Sequence, residues 1–215
     1  SWEHNSAYKT DGGEKIHSNL INLLREEVCI RQNKKIFYRT WDFGYFHINP
    51  QYYLSVTNNV EPHHNLYLCI KHVQGDYHRT YKFNPTLGIG KHKQIVEIEC
   101  QREYEGKGAY PNYIADGVLN GFEELKSDSQ PYCLNQLKSN PNFAGIWTWS
   151  RGGGWRGPYI KNELWCDINV AILANWANRM SLPEKELFKK YAIANGFKGK
   201  DIERFHRLCK ISGPF

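Results

Sequence analysis

The stretch Ile95–Gly106, IVEIECQREYEG, decides how the chain is read. Its first half sets Ile95, Val96, Ile98 and Cys100 among charged neighbours, the make-up of a short strand. Its second half carries Arg102, Glu103, Tyr104 and Glu105. Two carboxylates, an arginine and a tyrosine on the C-terminal tip of a strand sit where open and closed α/β sheets keep their active sites.

The same arrangement recurs on either side. KKIFYRTWD, NLYLCIKHVQGD and FAGIWTWSRGGGW are three further β-rich runs with polar or aromatic exits. The first exit offers Arg39, Trp41 and Asp42, and the second Lys71, His72, Asp76 and His78. The last offers Trp147, Trp149, Arg151 and Trp155.

Helical signals fall between and around these runs. Ile16, Leu20, Leu23, Leu24 and Val28 form one apolar stripe across 14–33. NPQYYLSVTNN starts a helix with Pro50 in its first turn, and PNYIADGVLNGFEELK reads as a broken helix. The apolar NELWCDINVAILANWANRM follows the fourth run, with Trp165 and Trp176 at core spacing. In SLPEKELFKKYAIANG, Ser181 and Glu184 fit a capping box, Pro183 suits the first turn, and Gly196 ends the helix. KDIERFHRLCK makes one more helix.

Alternating helices and buried strands predict parallel βα units. Four strands with reactive exits predict the C-terminal half of a (β/α)8 TIM-type barrel followed by C-terminal helices; a whole barrel takes about 250 residues. The expected division is a partial barrel catalytic domain over 1–160 and a helical segment over 161–215 packed on it. An open half-barrel leaves unpaired strand edges. The expected neighbour is therefore the missing N-terminal half of the barrel or, as a homo-oligomer, a second copy of the chain.

Composition narrows the function. The chain has 215 residues, 40% hydrophobic and 23% charged, with a formal charge of +6. Its 28 basic residues are scattered, so no nucleic-acid groove is expected. No apolar run reaches the length of a membrane span. The chain opens at Ser1 without a methionine, which leaves the compartment open between cytoplasmic and secreted. The six cysteines lack C-x-x-C spacing and fall in apolar segments, so buried free thiols are expected. The histidines are dispersed, with His63 and His64 read as a solvated loop pair, and no metal is expected. Gly152–Gly154 lacks a phosphate-loop pattern, and no cofactor is expected.

Carboxylates, cations and tryptophans on one rim point to an oligosaccharide substrate. Indole faces stack on sugar rings, Arg and Lys fix an anionic substituent, and two carboxyl groups suffice to hydrolyse a glycosidic bond. Any single strand-end carboxylate is more often a loop cap or an ion-pair partner; the convergence is what carries weight.

LCIKHVQGDYHRT, followed by QIVEIECQREYEGKG, resembles the paired strand ends of the xylan α-glucuronidases, a glycoside hydrolase family. There a Lys five residues ahead of an Asp is followed one strand later by a Gln-Glu-Tyr-type motif; here Lys71, Asp76 and Gln101–Tyr104 match, with Arg102 interposed. YRTWDF, GGGWRGPYIKNELWCDINVAILANWANRMSLPEKELFKKYA, and SWEHN ahead of TDGGEKIHSNLINLL are similar to further segments of that family in the same order. The second-strand loop departs from it, reading His-Val-Gln-Gly-Asp. The resemblance implies an inverting exo-acting hydrolase that removes a uronic acid of the 4-O-methyl-glucuronate type from plant-type oligosaccharides. It implies Glu3 as general acid, and Asp76 and Glu103 as the pair that orients and deprotonates water. Arg39 and Lys71 would hold the uronate carboxylate, and Trp155 would line the sugar pocket, with Trp147 as a second aromatic on the same rim. The alternatives are a non-catalytic carbohydrate-binding domain and a related hydrolase acting on another sugar.

Overall fold

The computed structural model describes residues 13–41, 46–75, 81–100, 110–126, 131–149 (the side chain of Trp149 excepted) and 163–213. It is a mixed α/β fold with a four-strand parallel sheet. The strands are β1 (Ile36–Arg39), β2 (Leu66–Lys71), β3 (Lys93–Glu99) and β4 (Phe143–Trp149). Their order in the sheet, β1-β2-β3-β4, is their order in the chain. β1 and β2 pair in parallel, with Phe37 opposite Tyr67 and Arg39 opposite Cys69.

The chain divides into two compact units. The first comprises Ser1–Gln74, Asn84–Val96 and Ser139–Gly145. It opens with α1 (Gly13–Leu24), which runs on through a π-helical turn at Arg25–Ile30. The helix read over 14–33 therefore forms and ends before Asn33, whose φ of 51° no helix accepts, but it buries Gly13, His17, Ser18 and Ile21 rather than the expected stripe, whose Leu23 is 58% exposed. α2 (Pro50–Thr57) starts as its sequence predicts. Pro50 fills the first turn, and the Asn49 side chain accepts from the Tyr52 amide at 3.0 Å. His17, Phe46, Tyr52 and Tyr53 pack as an aromatic cluster, with Phe46 and Tyr53 stacked at 5.7 Å.

Among the described residues between β2 and β3 the alternation of strand and helix lapses. Residues 81–92 contain no helix. Instead, Gln94 ties this segment down from inside. Its amide donates to Tyr53 Oη and to the Thr86 and Ile89 carbonyls, and its oxygen accepts from the Gly88 amide at 2.7 Å. A buried irregular segment needs such partners for its backbone groups.

The second unit comprises Gly75–Phe83, Glu97–Lys138 and Ile146–Phe215. It holds α3 (Ala115–Asn120), a 3-10 turn at Glu123–Leu125 and the single-turn α4 (Leu134–Leu137). It also holds α5 (Leu164–Asn178), α6 (Glu184–Ala194) and α7 (Lys200–Ile211). The predicted break in the helix over 111–126 falls at Gly121, whose φ of 93° suits glycine alone and whose missing side chain makes room for the Tyr132 ring. α5 buries Asn169, Ile172, Leu173 and Trp176, the i, i+3, i+4, i+7 stripe of one helical face. The Glu163 side chain caps it, accepting from the Trp165 and Cys166 amides. Gly196 ends α6 at φ 88°, and the Phe197 amide reaches back to the Ala192 carbonyl at 3.0 Å.

One predicted cap does not form. Pro183 is the N-cap of α6, without a side-chain hydrogen bond. Glu184 turns instead into the core, at 4% exposure, and accepts from Tyr113 Oη with His206 Nε2 at 3.0 Å. A partly buried Tyr–Glu–His cluster outweighs a cap worth about 1 kcal/mol.

All six cysteines are buried and free, as expected. Among the described residues no helix is long and apolar enough to cross a membrane. Burial raises the thiols of Cys29, Cys100 and Cys133, and lifts Cys209 to about 12 from the ordinary 9.0, the nearby Glu184 adding to it. Burial likewise raises the Tyr53 and Tyr113 phenols. A folded-state pKa above the unfolded one stabilises the fold fully below the unfolded value and is lost as pH climbs through the folded one. The urea midpoint should therefore hold up to about pH 9 and then fall steadily. A midpoint that rises between pH 9 and 11 would contradict this packing. A thiol reagent should find no fast-reacting cysteine in the native protein and six after denaturation.

Candidate functional site

Parallel pairing fixes which strand residues share a face. Residues opposite one another on adjacent strands point the same way, and every second residue repeats it. Phe37 and Tyr67 show this directly, stacked at 5.3 Å. Arg39, Cys69 and Lys71 therefore share that face. Strand spacing and rise put the Arg39 and Lys71 Cα atoms about 8 Å apart. Tyr38 points to the other face, towards Phe46.

Lys71 ends β2 and is only 2% exposed. Its Nζ lies 3.3 Å from the centroid of the Trp41 ring, a cation–π contact. The Trp41 ring meets His47 edge-on at 4.6 Å. His47 is fully buried, and its carbonyl accepts from Asn84 Nδ2 at 3.0 Å and Thr86 Oγ1 at 3.2 Å. The Asn84 amide in turn donates to the His72 carbonyl, just past the end of β2. Thr40, also buried, donates from its amide to the Cys69 carbonyl at 3.0 Å. The C-terminal ends of β1 and β2 thus carry two cations, an indole face and a hydrogen-bonded floor.

In the second unit, β3 carries Glu97 and Glu99, two residues apart on one face and both buried. The sequence reading placed its weight on the carboxylates beyond Cys100 and passed over these two. The signal was there: acidic residues inside a strand whose neighbours Val96, Ile98 and Cys100 are all core. Cys100 bears on the electrostatics here, because burial, the Cys166 thiol and the Glu99 carboxylate all raise its pKa. Trp147, on β4, is 41% exposed, open enough for an aromatic ring to meet a ligand.

The end of β3 is anchored by Asn169 on α5. Its Nδ2 donates to the Cys100 carbonyl at 3.1 Å and the Asn112 carbonyl at 2.9 Å. Its Oδ1 accepts from the Ile114 and Ala115 amides at the start of α3. One fully buried amide so joins α5, the tip of β3 and the entry to α3, with every donor and acceptor used.

Of the predicted site residues, Arg39, Lys71 and Trp147 stand at the positions described, the first two on one face of the β1–β2 pair. Glu3, Asp76, Glu103 and Trp155 lie outside the described residues. Trp41 was noticed only as one member of the first strand exit, and His47 was not singled out. Among the described residues no three His, Cys, Asp or Glu side chains are grouped to hold a metal.

No known family model matches the chain. No curated protein matches it in sequence.

Asn169→Ala should lower stability by roughly 3 kcal/mol or more, because it strands several buried backbone groups at about 1–3 kcal/mol each. Asn169→Asp should be no better, since a carboxylate cannot donate to the Cys100 and Asn112 carbonyls. Urea denaturation measures both, and a loss under 1 kcal/mol for either variant would show that the amide is not the anchor.

Proposed function

We propose that the chain contributes the catalytic strand ends of an inverting, exo-acting glycoside hydrolase that removes a uronic acid of the 4-O-methyl-glucuronate type from plant-type oligosaccharides. The observation that carries this reading is the pair Arg39 and Lys71, side by side at the C-terminal ends of neighbouring parallel strands, beside an aromatic face. Two cations about 8 Å apart at Cα can converge on one carboxylate, the arginine bidentately and the lysine as a point charge.

The strand order supports the fold half of the proposal. Doubly wound sheets reverse their order at a switch point. A (β/α)8 barrel adds each strand beside the last, and β1-β2-β3-β4 follows that rule. The chain would then be a sector of a TIM-type barrel, closed by further strands from the other half of the barrel or from a second copy. Phe37, 58% exposed on the face that a barrel encloses, fits such a covering.

In this mechanism Arg39 and Lys71 hold the uronate carboxylate and so set the ring in place. Glu3 gives its proton to the glycosidic oxygen as the C–O bond breaks. Asp76 and Glu103 orient a water on the opposite face and take its proton as it attacks the anomeric carbon. Acid and base need about 6.5–9.5 Å between them to admit that water. Attack from the far face inverts the anomeric centre, so an α-linked uronate leaves as the β-anomer.

The test is glucuronate release from short aldouronic acids by the full-length protein, with the first-formed anomer followed by proton NMR. The β-anomer should appear first, and Glu103→Gln should lower kcat by about 10²–10⁴-fold. Equal rates for wild type and variant, or an α-anomer product, would sink the proposal.

A further inference from the structure

We propose that the cleft between α6 and α7 is a binding site for a small phosphorylated polyol, a sugar phosphate being the plainest case. The cleft lies wholly within the second unit, and the proposal does not rest on the hydrolase reading. Its volume is about 1120 Å³, at the upper end of the small-molecule range.

Three cations carry the inference. Lys185 and Lys189 stand one turn apart on α6, and Arg207 lines the cleft from α7. All three are exposed, and among the described residues no carboxylate is within ion-pair distance of any of them. Lys210, by contrast, is neutralised by Asp116 at 2.8 Å. Glu203 and Arg207 are spaced i, i+4 on one helix, a separation at which such side chains commonly pair, yet they stay apart. An arginine can grip a phosphate bidentately, with lysines beside it as point charges.

Glu186 and Glu203 line the same cleft. They disfavour a continuous polyanion such as nucleic acid or an anionic bilayer, whose further phosphates would meet them. They suit a ligand with its charge at one end and hydroxyl donors on the remainder, since an ionised carboxylate only accepts. His206 completes the lining. Its Nε2 meets both Glu184 oxygens, at 3.0 and 3.1 Å, and Glu184 also accepts from Tyr113 Oη. A neutral imidazole held this way carries its proton on Nε2 and keeps a lone pair on Nδ1 for a ligand hydroxyl.

The walls of the cleft are fixed by aromatic packing. The Phe188 ring on α6 meets His206 at 4.2 Å and Phe205 at 5.3 Å, both on α7. Phe197, just past α6, stacks on Phe205 at 4.3 Å. The two helices therefore hold their spacing without a ligand.

Calorimetry on the full-length protein tests this with glucose 6-phosphate, glucose 1-phosphate, glycerol 3-phosphate, glucose and inorganic phosphate. At least one of the three esters should bind about tenfold or more tightly than inorganic phosphate, and glucose should not bind. Arg207→Gln should weaken that ester about tenfold or more, and Lys189→Gln by a smaller factor. Lys190→Gln, on α6 but outside the cleft lining, should change nothing. The substituted side chains are exposed, so urea midpoints should match wild type. The His206 ring protons, assigned by their loss in His206→Gln, should shift as the ester is added. Binding by none of the esters overturns the proposal. So does inorganic phosphate binding as tightly as the best ester, which an unselective anion patch would give. An ester affinity unchanged in Arg207→Gln, or weakened equally in Lys190→Gln, overturns it as well. If His206→Gln does not fold, the Arg207 and Lys190 variants decide alone.

Discussion

The parallel ladder between β1 and β2 is the constraint from which the candidate site follows. Setting Arg39 opposite Cys69 commits Arg39 and Lys71 to one face, because the side-chain period of a strand is two. A slip of one residue would send Arg39 to the helix-covered face, where Tyr38 now packs near Phe46. Register is held by that burial: Tyr38, Leu66, Leu68 and Ile70 are all core. The hydrophobic face thus determines where the cations stand, and the site inherits its precision from packing rather than from contacts among its own members.

Where regular structure lapses, single amides take over its work. Residues 81–92 lack a helix, and Gln94 satisfies their backbone from within, using its oxygen once and its nitrogen towards three acceptors. Asn169 does the same in the second unit for the groups at 100, 112, 114 and 115. Such residues impose geometry because each of their bonds has a direction, while an apolar residue of equal size would leave the loops free to settle in several ways.

Much of the fold was legible. Periodicity placed α1, α2, α5 and α7, and the four β-rich runs became four strands in one sheet. The Pro50 and Gly196 signals were read correctly, because each acts through its own backbone. The Ser181–Glu184 cap was misread for the opposite reason. Glu184 had a better use in Tyr113 and His206, 71 and 22 residues away in the chain, which local spacing cannot reveal. At the site, Arg39 and Lys71 were legible as strand-end cations. The contact between Trp41 and Lys71 was not, since nothing in the neighbouring sequence says that this ring meets an ammonium. Glu97 and Glu99 were passed over because charge inside a strand reads as solvent exposure, whereas a parallel sheet buries both its faces.

Buried charge in strands separates a scaffold from a site more sharply than exposed charge does. Lys71 in the first unit and Glu97 and Glu99 in the second occupy positions that an uncharged side chain would fill at no desolvation cost. Replacing buried ionic groups with apolar ones of equal volume commonly stabilises a protein, so their presence calls for a reason other than stability. For Lys71 that reason is a matter of place: it is the last residue of its strand, at the end where α/β folds gather their chemistry, with its ammonium over the Trp41 ring. A charge held in so dry an environment is felt far more strongly than it would be in water.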